Sequence, residues 1–392
     1  MDKKPFTTDI DLLLTTFHDY TLLGKECHIY LFSILTMKRF VLKTIIMIVP
    51  IVCLFVYYNL CVSPHRHGDL GLLGYMAFND EYDTCMIASA MDSLLVTQID
   101  NLSQIDTDSA ILTVGDSFSQ QGKYGYQNYL AHLYPDFKVY NLNPKGKSHE
   151  ENYQFIVDCI ISNDKLPAYV VIESVERILI ERLANLSLSQ NGAQQRISAY
   201  QYSLLSDVNP EADVCSPNGI QTTKEKVRDF IDRIRQTQEF IKKKLDINNP
   251  VKYLELKRNL FTCQEEERNL YFYQDDLCEQ SSEMTNRAQH KLDSLIDYVE
   301  RHNVNFVLLV ASDKYDLYKQ FAVDDNYNVP GNLEYFSTYN DNPHFINSKQ
   351  LLNEHVVQGE KDIYKCNDTH WSIKAAKYVA TEIKRKLSQQ TH

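Results

Sequence analysis

The sequence has no basic stripe, no CxxC pair, no internal repeat and no long low-complexity tract. Its formal net charge is -12 at pH 7. An acidic chain without a basic surface is poorly suited to binding the phosphates of nucleic acid, so we expect no nucleic-acid partner. Without a CxxC pair, neither a zinc site nor a thiol redox site has support, and we predict no metal and no cofactor.

What the sequence does contain is enough apolar material for a large core. The chain has 392 residues, of which 44% are hydrophobic and 11% aromatic. This composition is typical of a globular protein rather than a disordered one. We therefore expect one large domain, or one domain with an insertion.

One apolar segment, residues 37–62, differs from the rest of the chain. It opens with a cationic flank and then runs uncharged from Thr44 to Val62. At about 1.5 Å per residue, a helix from Phe40 to Val62 is long enough to cross a bilayer core of about 30 Å. The cations of the flank are Lys38, Arg39 and Lys43. The segment is therefore predicted to be a transmembrane anchor.

The charge pattern also predicts the orientation of this anchor. Because the cationic flank comes first, the positive-inside rule places residues 1–36 in the cytoplasm and residues 63–392 in the periplasm or another extracytoplasmic space. A cleaved signal peptide and a buried core helix kinked at Pro50 are the alternatives. We favour a single-pass anchor in the inner (cell) membrane because no small-x-small cleavage site follows. Met37 would also serve as an ordinary start, which would leave residues 1–36 upstream of it.

The cysteines give a second indication of compartment. The predicted exported part contains six, an even number that suits an environment where disulfides persist. They are Cys85, Cys159, Cys215, Cys263, Cys278 and Cys366. Spacing alone does not determine the pairing. Cys263 with Cys278 is the nearest candidate in sequence, and a buried thiol is the alternative for Cys159.

Four short β-rich runs follow the predicted anchor, at residues 110–114, 137–141, 168–173 and 305–311. Apolar residues at helical spacing separate the first three of them. The first helical face comprises Tyr126, Tyr129, Leu130 and Leu133, and the second comprises Asn152, Phe155, Ile156 and Cys159. Alternating strands and helices predict an α/β fold with a parallel sheet and right-handed crossovers.

The alternation breaks between about residues 184 and 284, where the sequence becomes polar and has helical spacing. Val227, Phe230, Ile231 and Ile234 form one apolar face within a charged stretch. We predict a helical insertion packed on the sheet, with its charged residues forming a solvated face.

Residues with chemical potential follow the predicted strands, and in open α/β sheets ligands bind beyond the carboxyl ends of the strands. Gly115-Asp116-Ser117 follows the first strand. A serine at such a strand end can expose its hydroxyl and aim its backbone N–H at an oxyanion. The alternative is that Asp116 or Ser117 only caps the following helix. Gly146, after the second strand, allows close backbone approach to a ligand, although a turn glycine is the commoner explanation.

Two further loops supply charge. The third strand leads into "VIESVER", where Arg177 could bind a carboxylate or an oxyanion, or could form a salt bridge with Glu173 or Glu176. Asp368 and His370 flank Thr369 just before the last predicted helix. An Asp-x-His pair can take the proton of a serine and stabilise the resulting imidazolium. Helix capping by Asn367, Asp368 or Ser372, with Trp371 in the core, is the alternative.

The order of these motifs resembles the SGNH, or GDSL, hydrolase superfamily. "GDSF" after the first strand, a glycine after the second and "DTHWS" before the last helix match three of its four signature blocks. The fourth block, Gly-x-Asn-Asp after the third strand, is replaced here by "ESVER". The resemblance covers roughly residues 105–388. It implies a doubly wound, mostly parallel, flavodoxin-like sheet.

The resemblance also assigns roles. It implies that Ser117 is the nucleophile and that His370, oriented by Asp368, is the base. The backbone N–H groups of Ser117 and Gly146 would form the oxyanion hole. Arg177 falls near the place of the family's asparagine and is a candidate third donor.

Together with the predicted anchor, the motifs resemble the SGNH-like periplasmic proteins of polysaccharide O-acetylation, the group around the alginate O-acetyltransferases, and the DHHW-type proteins of anaerobic bacteria. In the alginate proteins the Asp-x-His precedes the serine, whereas here it follows. The resemblance implies an O-acyltransferase acting on a cell-surface or secreted polysaccharide, supplied with acyl groups by a membrane-bound O-acyltransferase partner. A carbohydrate esterase with the same triad, and a polysaccharide-binding protein with a vestigial triad, are the alternatives.

Overall fold

The computed structural model describes residues 37–54, 57, 69–72, 91–162, 167–206, 250–263 and 267–390. Residues 37–54 form helix α1, which belongs to a different compact unit from the elements that follow. Within the described ranges, no helix is both long enough and apolar enough to cross a membrane. Residues 1–36 lie outside these ranges, as do residues 55–62 of the predicted anchor apart from residue 57. The anchor therefore stays a prediction without structural support.

The centre of the second unit is a six-stranded sheet in the order β1-β3-β2-β4-β7-β8, and every neighbouring pair is parallel. The strands are β1 (Thr97–Ile99), β2 (Ala110–Val114), β3 (Lys138–Leu142), β4 (Tyr169–Val175), β7 (Phe306–Ala311) and β8 (Phe345–Asn347). The predicted α/β class with a parallel sheet is therefore confirmed. All four predicted strands are present, with small shifts at their ends.

Five of these strands have the order β3-β2-β4-β7-β8, the doubly wound order in which the chain first moves to one side of β2 and then to the other. Strand side chains alternate between two buried layers: Ile111 packs in one hydrophobic cluster and Leu112 in the other. Both faces are covered, which explains why each strand reads as an unbroken apolar run. The loop after β2 lies where the two windings diverge, the usual position of a ligand site in such sheets.

Helices surround the sheet. They are α2 (Asp69–Leu72), α3 (Tyr126–Leu133), α4 (His149–Ser162), α5 (Glu176–Asn185), α6 (Gln190–Ser206), α7 (Ser282–Arg301), α8 (Lys314–Tyr318), α9 (Ser348–Val357) and α10 (Ile373–Gln389). Helix α10 shows why they form. The Ser372 hydroxyl caps its start by accepting a hydrogen bond from Lys374 N, and Ile373, Ala376 and Ala380 on its apolar face are buried.

The predicted helical insertion differs from the observed structure in its described part. Residues 251–273 contribute the strands β5 (Val251–Glu255) and β6 (Asn269–Tyr273), which pair as an antiparallel hairpin. Burial alternates along β6, where Leu270 and Phe272 are buried, whereas β5 buries Val251 and Leu254 without a strict alternation. Helix α6 is a helical part of this region that the structure describes. The apolar face predicted at residues 227–234 lies outside the described residues.

The disulfide pairing also differs from the nearest-neighbour expectation. Cys263 is bonded to Cys366, 103 residues away, and Cys278 is exposed and unbonded. Thr262 N donates to Asp362 Oδ1 at 2.9 Å and Asp362 N donates to Leu260 O at 3.0 Å, so the segment that ends at Cys263 lies beside the segment before α10. Cys159 is buried inside α4, in agreement with the alternative of a buried thiol. Cys85 and Cys215 lie outside the described residues.

Candidate active site

Ser117, His370 and Asp368 meet at the carboxyl edge of the sheet. Ser117 Oγ lies 2.7 Å from His370 Nε2, and His370 Nδ1 lies 2.6 Å from Asp368 Oδ1. Two loops make this arrangement: the Ser117 loop, residues 115–120 after β2, and the His370 loop, residues 365–370 before α10. The geometry is that of a serine with an oriented base, because both links have hydrogen-bond length.

The Ser117 side chain is exposed, and it is not a helix cap. Ser117 begins a short 3-10 helix, Ser117–Gln120, whose N-cap is Asp116, and the Asp116 side chain makes no capping bond. The first N–H groups of any helix lack partners within that helix. Ser117 N–H is therefore at a position that suits an oxyanion donor.

The Asp116 side chain instead binds to Arg182 and to the backbone of β4. Its two carboxylate oxygens accept from Arg182 Nη1 and Nη2 at 2.8 and 2.9 Å, and Oδ2 also accepts from Val175 N at 2.8 Å. Both side chains of this ion pair are buried, with 4% and 6% exposure. Arg182 also donates to Ser174 Oγ at 2.8 Å. The aspartate of "GDSF" therefore fixes the Ser117 loop to β4 and α5 and leaves the chemistry to other groups.

Glu173 explains the glycine of the motif. Its Oε2 accepts hydrogen bonds from Asp116 N at 2.8 Å and Ser119 Oγ at 2.9 Å. A Cβ at position 115 would lie 2.4 Å from that same oxygen, so only glycine fits beneath the carboxyl group. Burial, followed by the negative charge of Asp116, raises the pKa of Glu173 to about 8. The "ESVER" segment therefore supplies Glu173, which holds the backbone and side chains of the Ser117 loop.

The other end of the Ser117 loop is held by two amides. Gln127 Nε2 and Asn141 Nδ2 both donate to Ser119 O, at 2.8 and 2.9 Å. Asn141 is itself fixed by the Thr113 hydroxyl, which donates to its Oδ1 at 2.9 Å. All of these partners are buried, so the loop that presents Ser117 is bonded into the sheet on both sides.

The acid of the His370 loop is kept ionised. Burial alone would raise the pKa of Asp368, but the Lys365 ammonium and the His370 imidazole hold it well below its usual range. Lys365 Nζ lies 3.5 Å from Asp368 Oδ2, and His370 N donates to Asp368 Oδ1 at 3.1 Å. An ionised carboxylate is what the imidazole needs to keep its tautomer and to balance its positive charge after proton transfer.

Lys314 holds the backbone of the same loop. Its ammonium is buried and donates to the carbonyls of Lys365, Cys366 and Asp368 at 2.8, 3.1 and 3.0 Å. Burial lowers the pKa of Lys314 to about 8. The disulfide from Cys366 to Cys263 ties the loop to the segment before β6 as well. Both constraints act within a few residues of His370.

Aromatic packing sets the position of the imidazole. The Phe118 ring centroid lies 4.8 Å from that of His370 and 4.6 Å from that of Trp371. Trp371 is fully buried, as the helix-capping alternative had it. The residue after the serine and the residue after the histidine therefore pack on each other, which brings the two loops together.

Asp69 is a neighbour of the triad that the motifs did not indicate. It lies on α2 and bonds to Thr369, the residue between the acid and the base. Possible ligand atoms of Asp69, Asp368 and His370 lie within 4.8 Å of one another. Because Asp368 already bonds to His370 and Asp69 already bonds to Thr369, we describe the group as a hydrogen-bond network and not as a metal centre.

The two predicted oxyanion or substrate residues lie outside the hydrogen bonds of the triad. Gly146 is exposed in the loop after β3, with a φ of 77° that glycine accommodates easily. Arg177 donates to Asp313 at 2.6 Å and to Asp276 at 3.3 Å, and its side chain is 22% exposed. A salt bridge was the alternative for Arg177, but its partners are these two aspartates rather than Glu173 or Glu176.

Sequence reasoning missed Asp69, Arg182 and Lys314 as parts of this site. Each acts on a loop that is distant in sequence, with separations of 300, 66 and 51 to 54 residues. Arg182 had one usable signal, since an arginine on the buried side of a helix requires a partner of opposite charge. Asp69 and Lys314 had none.

Comparison of the chain with protein-family models, with curated proteins and with solved structures found no match in any of the three. The likeness to SGNH hydrolases therefore remains a likeness of motifs.

Proposed function

We propose that this chain is a membrane-anchored, extracytoplasmic O-acyltransferase that acetylates a cell-surface or secreted polysaccharide through an acyl-enzyme on Ser117. The observation that carries the proposal is the pair of short contacts, Ser117 Oγ to His370 Nε2 at 2.7 Å and His370 Nδ1 to Asp368 at 2.6 Å, around an exposed serine. A serine that only fills a turn needs neither an imidazole nor a carboxylate aligned behind it.

The first half of the reaction forms the acyl-enzyme. The Ser117 hydroxyl transfers its proton to His370 Nε2 while Oγ bonds to the acyl carbonyl carbon. The Ser117 and Gly146 N–H groups are the proposed donors to the tetrahedral oxyanion, and Arg177 is a weaker candidate because two aspartates already engage it. When the oxyanion collapses, the bond to the leaving group breaks and the leaving group takes the proton from His370.

The second half passes the acyl group on. A sugar hydroxyl gives its proton to His370 and attacks the Ser117 ester, and the ester oxygen of Ser117 leaves with the proton. Water in place of the sugar would make the chain an esterase, with the same residues in the same roles. The acyl donor is proposed to come from a membrane-bound O-acyltransferase partner.

The proposed location rests on two observations. The uncharged run from Thr44 to Val62 behind three cations favours an anchor with the catalytic domain outside the cytoplasm. The disulfide between Cys263 and Cys366 favours an oxidising compartment, because such bonds are rare in the cytosol.

Intact-mass spectrometry of the full-length protein, incubated with p-nitrophenyl acetate, tests the nucleophile. We expect an acetyl adduct that maps to Ser117. Ser117→Ala should give no adduct, and His370→Ala should form it about 10² to 10⁴-fold more slowly because the general base is missing. His290→Ala, an exposed histidine on α7, is the matched control and should react like the wild type.

The outcomes separate the candidates. An adduct that polysaccharide removes faster than water, with acetyl appearing on the glycan, supports the transferase. An adduct that decays to free acetate at a rate unaffected by every glycan tested identifies an esterase. A wild-type protein that neither forms an adduct nor speeds the release of p-nitrophenol contradicts both enzyme assignments and favours a binding protein with a vestigial triad.

A further inference from the structure

The residue between the acid and the base is held from outside its own loop. Thr369 N donates to Asp69 Oδ1 at 2.8 Å, and the Thr369 hydroxyl donates to Asp69 Oδ2. One carboxylate therefore binds both the backbone and the side chain of Thr369. Thr369 is buried, with 5% exposure, so water does not replace these bonds easily.

Leu70, the next residue of α2, holds the Asp69 carboxylate in place. Leu70 N donates to Asp69 Oδ1 at 2.7 Å, which orients the carboxylate. The Leu70 side chain is fully buried in the same hydrophobic cluster as Trp371, the residue that follows His370. Asp69 is therefore anchored to the core that carries α10, although it comes from a segment 300 residues away.

The position of Thr369 decides the geometry of the triad. Asp368 and His370 are its two neighbours in the chain, and their side chains meet at 2.6 Å. A rotation of the Thr369 peptide would move both side chains and lengthen this contact. Displacements of about 1 Å in a catalytic array can cost about 10²-fold in rate.

We propose that Asp69 is a positioning residue of the Ser117 site, which acts by hydrogen bonding Thr369 so that Asp368 and His370 stay aligned. The inference rests on the proposed acyl-enzyme chemistry at Ser117, and it adds a fourth residue to that machinery. Asp368 and His370 are charged neighbours that act directly on the Asp69 carboxylate. Lys365 and Lys314 are the nearby cations, and they are engaged by Asp368 and by the backbone of the His370 loop.

The test uses a fluorophosphonate probe on the full-length protein, because this reagent reports an activated serine without any natural substrate. Ser117 Oγ bonds to phosphorus, the P–F bond breaks, fluoride leaves and His370 receives the hydroxyl proton. The labelling rate is measured for the wild type and for Asp69→Ala, Asp69→Asn and Asp136→Ala. Asp136 is an exposed aspartate in the turn after α3 and is the matched control.

We expect Asp69→Ala to label about 10- to 100-fold more slowly, because both bonds to Thr369 are lost. Asp69→Asn should label within about 3-fold of the wild type, since its oxygen still accepts from Thr369 N and its amide can donate to the hydroxyl. With p-nitrophenyl acetate, Asp69→Ala should lower kcat and leave KM unchanged. Asp136→Ala should match the wild type in every assay.

A second pair keeps the proposal testable if Asp69→Ala does not fold. Thr369→Ser retains both donors and should label normally, whereas Thr369→Val loses the hydroxyl and should label about 3- to 10-fold more slowly. Wild-type rates in Asp69→Ala would overturn the proposal. So would an Asp69→Asn variant as slow as Asp69→Ala, or loss of wild-type labelling in a chelator, since charge or a metal would then be essential. A wild type that never labels contradicts the proposed function itself.

Discussion

The Ser117 loop and the His370 loop form one site but are held in different ways. The Ser117 loop is hydrogen-bonded to the neighbouring strands β3 and β4 and to the helices α3 and α5 beside them. The His370 loop is held by α2, by Lys314 and by a disulfide, which come from three distant parts of the chain. Ser117 is therefore held by the sheet and the helices beside it, whereas His370 is held by segments that lie far away in the sequence.

The largest expected effect comes from breaking the ion pair under the Ser117 loop. Arg182→Met leaves the buried Asp116 carboxylate without its bidentate partner, so the free energy of unfolding should fall by about 3 to 5 kcal/mol. Urea denaturation measures this change in the free energy of unfolding. Arg385→Met removes the guanidinium of an exposed pair with Glu382 and should cost less than about 1 kcal/mol. Equal losses of unfolding free energy in the two variants would mean that the Arg182–Asp116 pair stabilises the protein no more than a surface ion pair does.

The disulfide should have the next largest effect, and it acts on the other loop. The Cys263→Ser, Cys366→Ser double variant opens a link between residues 103 positions apart and should lose about 2 to 4 kcal/mol of stability. Fluorophosphonate labelling of Ser117 should also slow, because the link ends two residues before Asp368. Cys278→Ser, at an exposed cysteine, is the control. Unchanged labelling in a destabilised double variant would show that the disulfide serves the fold alone.

The smallest expected effect concerns pH and Glu173. The folded protein holds the pKa of this group at about 8, above the ordinary value of 4.5, so between these values it binds more protons than the unfolded chain does. This group therefore makes stability fall as the pH rises between these two values. Glu173→Gln should remove that contribution, so the variant gains on the wild type between pH 5 and pH 8.

Urea midpoints at pH 5, 6.5 and 8 measure this change. Glu181→Gln, an exposed carboxyl on α5, should leave the pH dependence of the wild type intact. Parallel pH profiles for Glu173→Gln and the wild type would contradict a protonated Glu173 beneath the Ser117 loop.

The parts of the fold that could be predicted are those with a local signature. The strands β2, β3, β4 and β7 are buried on both faces, so each is an apolar run that the sequence reveals directly. The edge strands β1 and β8 have three residues each, too few to show a period. The hairpin of β5 and β6 lies in a polar region, where its short alternation was hidden by the surrounding helical spacing.

The same distinction applies to the site. Ser117, Asp368 and His370 stand in short motifs, so a likeness to a known family could indicate them together. The supports of these residues are single side chains whose partners lie far along the chain, and no pattern links Asp69 to Thr369 or Lys314 to Cys366. The pairing of Cys263 was equally hidden, since nearness in sequence favoured Cys278 and the fold favoured Cys366.

The long separation between the two halves of the site also determines when the site is completed during protein synthesis. Ser117 is made 253 residues before the histidine that serves it, and the loop of that histidine docks on Asp69, made earlier still. A nascent chain that has not yet reached residue 370 contains Ser117 but lacks the imidazole that contacts it. The contact between Ser117 Oγ and His370 Nε2 can therefore form only after almost all of the sheet and its helices have been made.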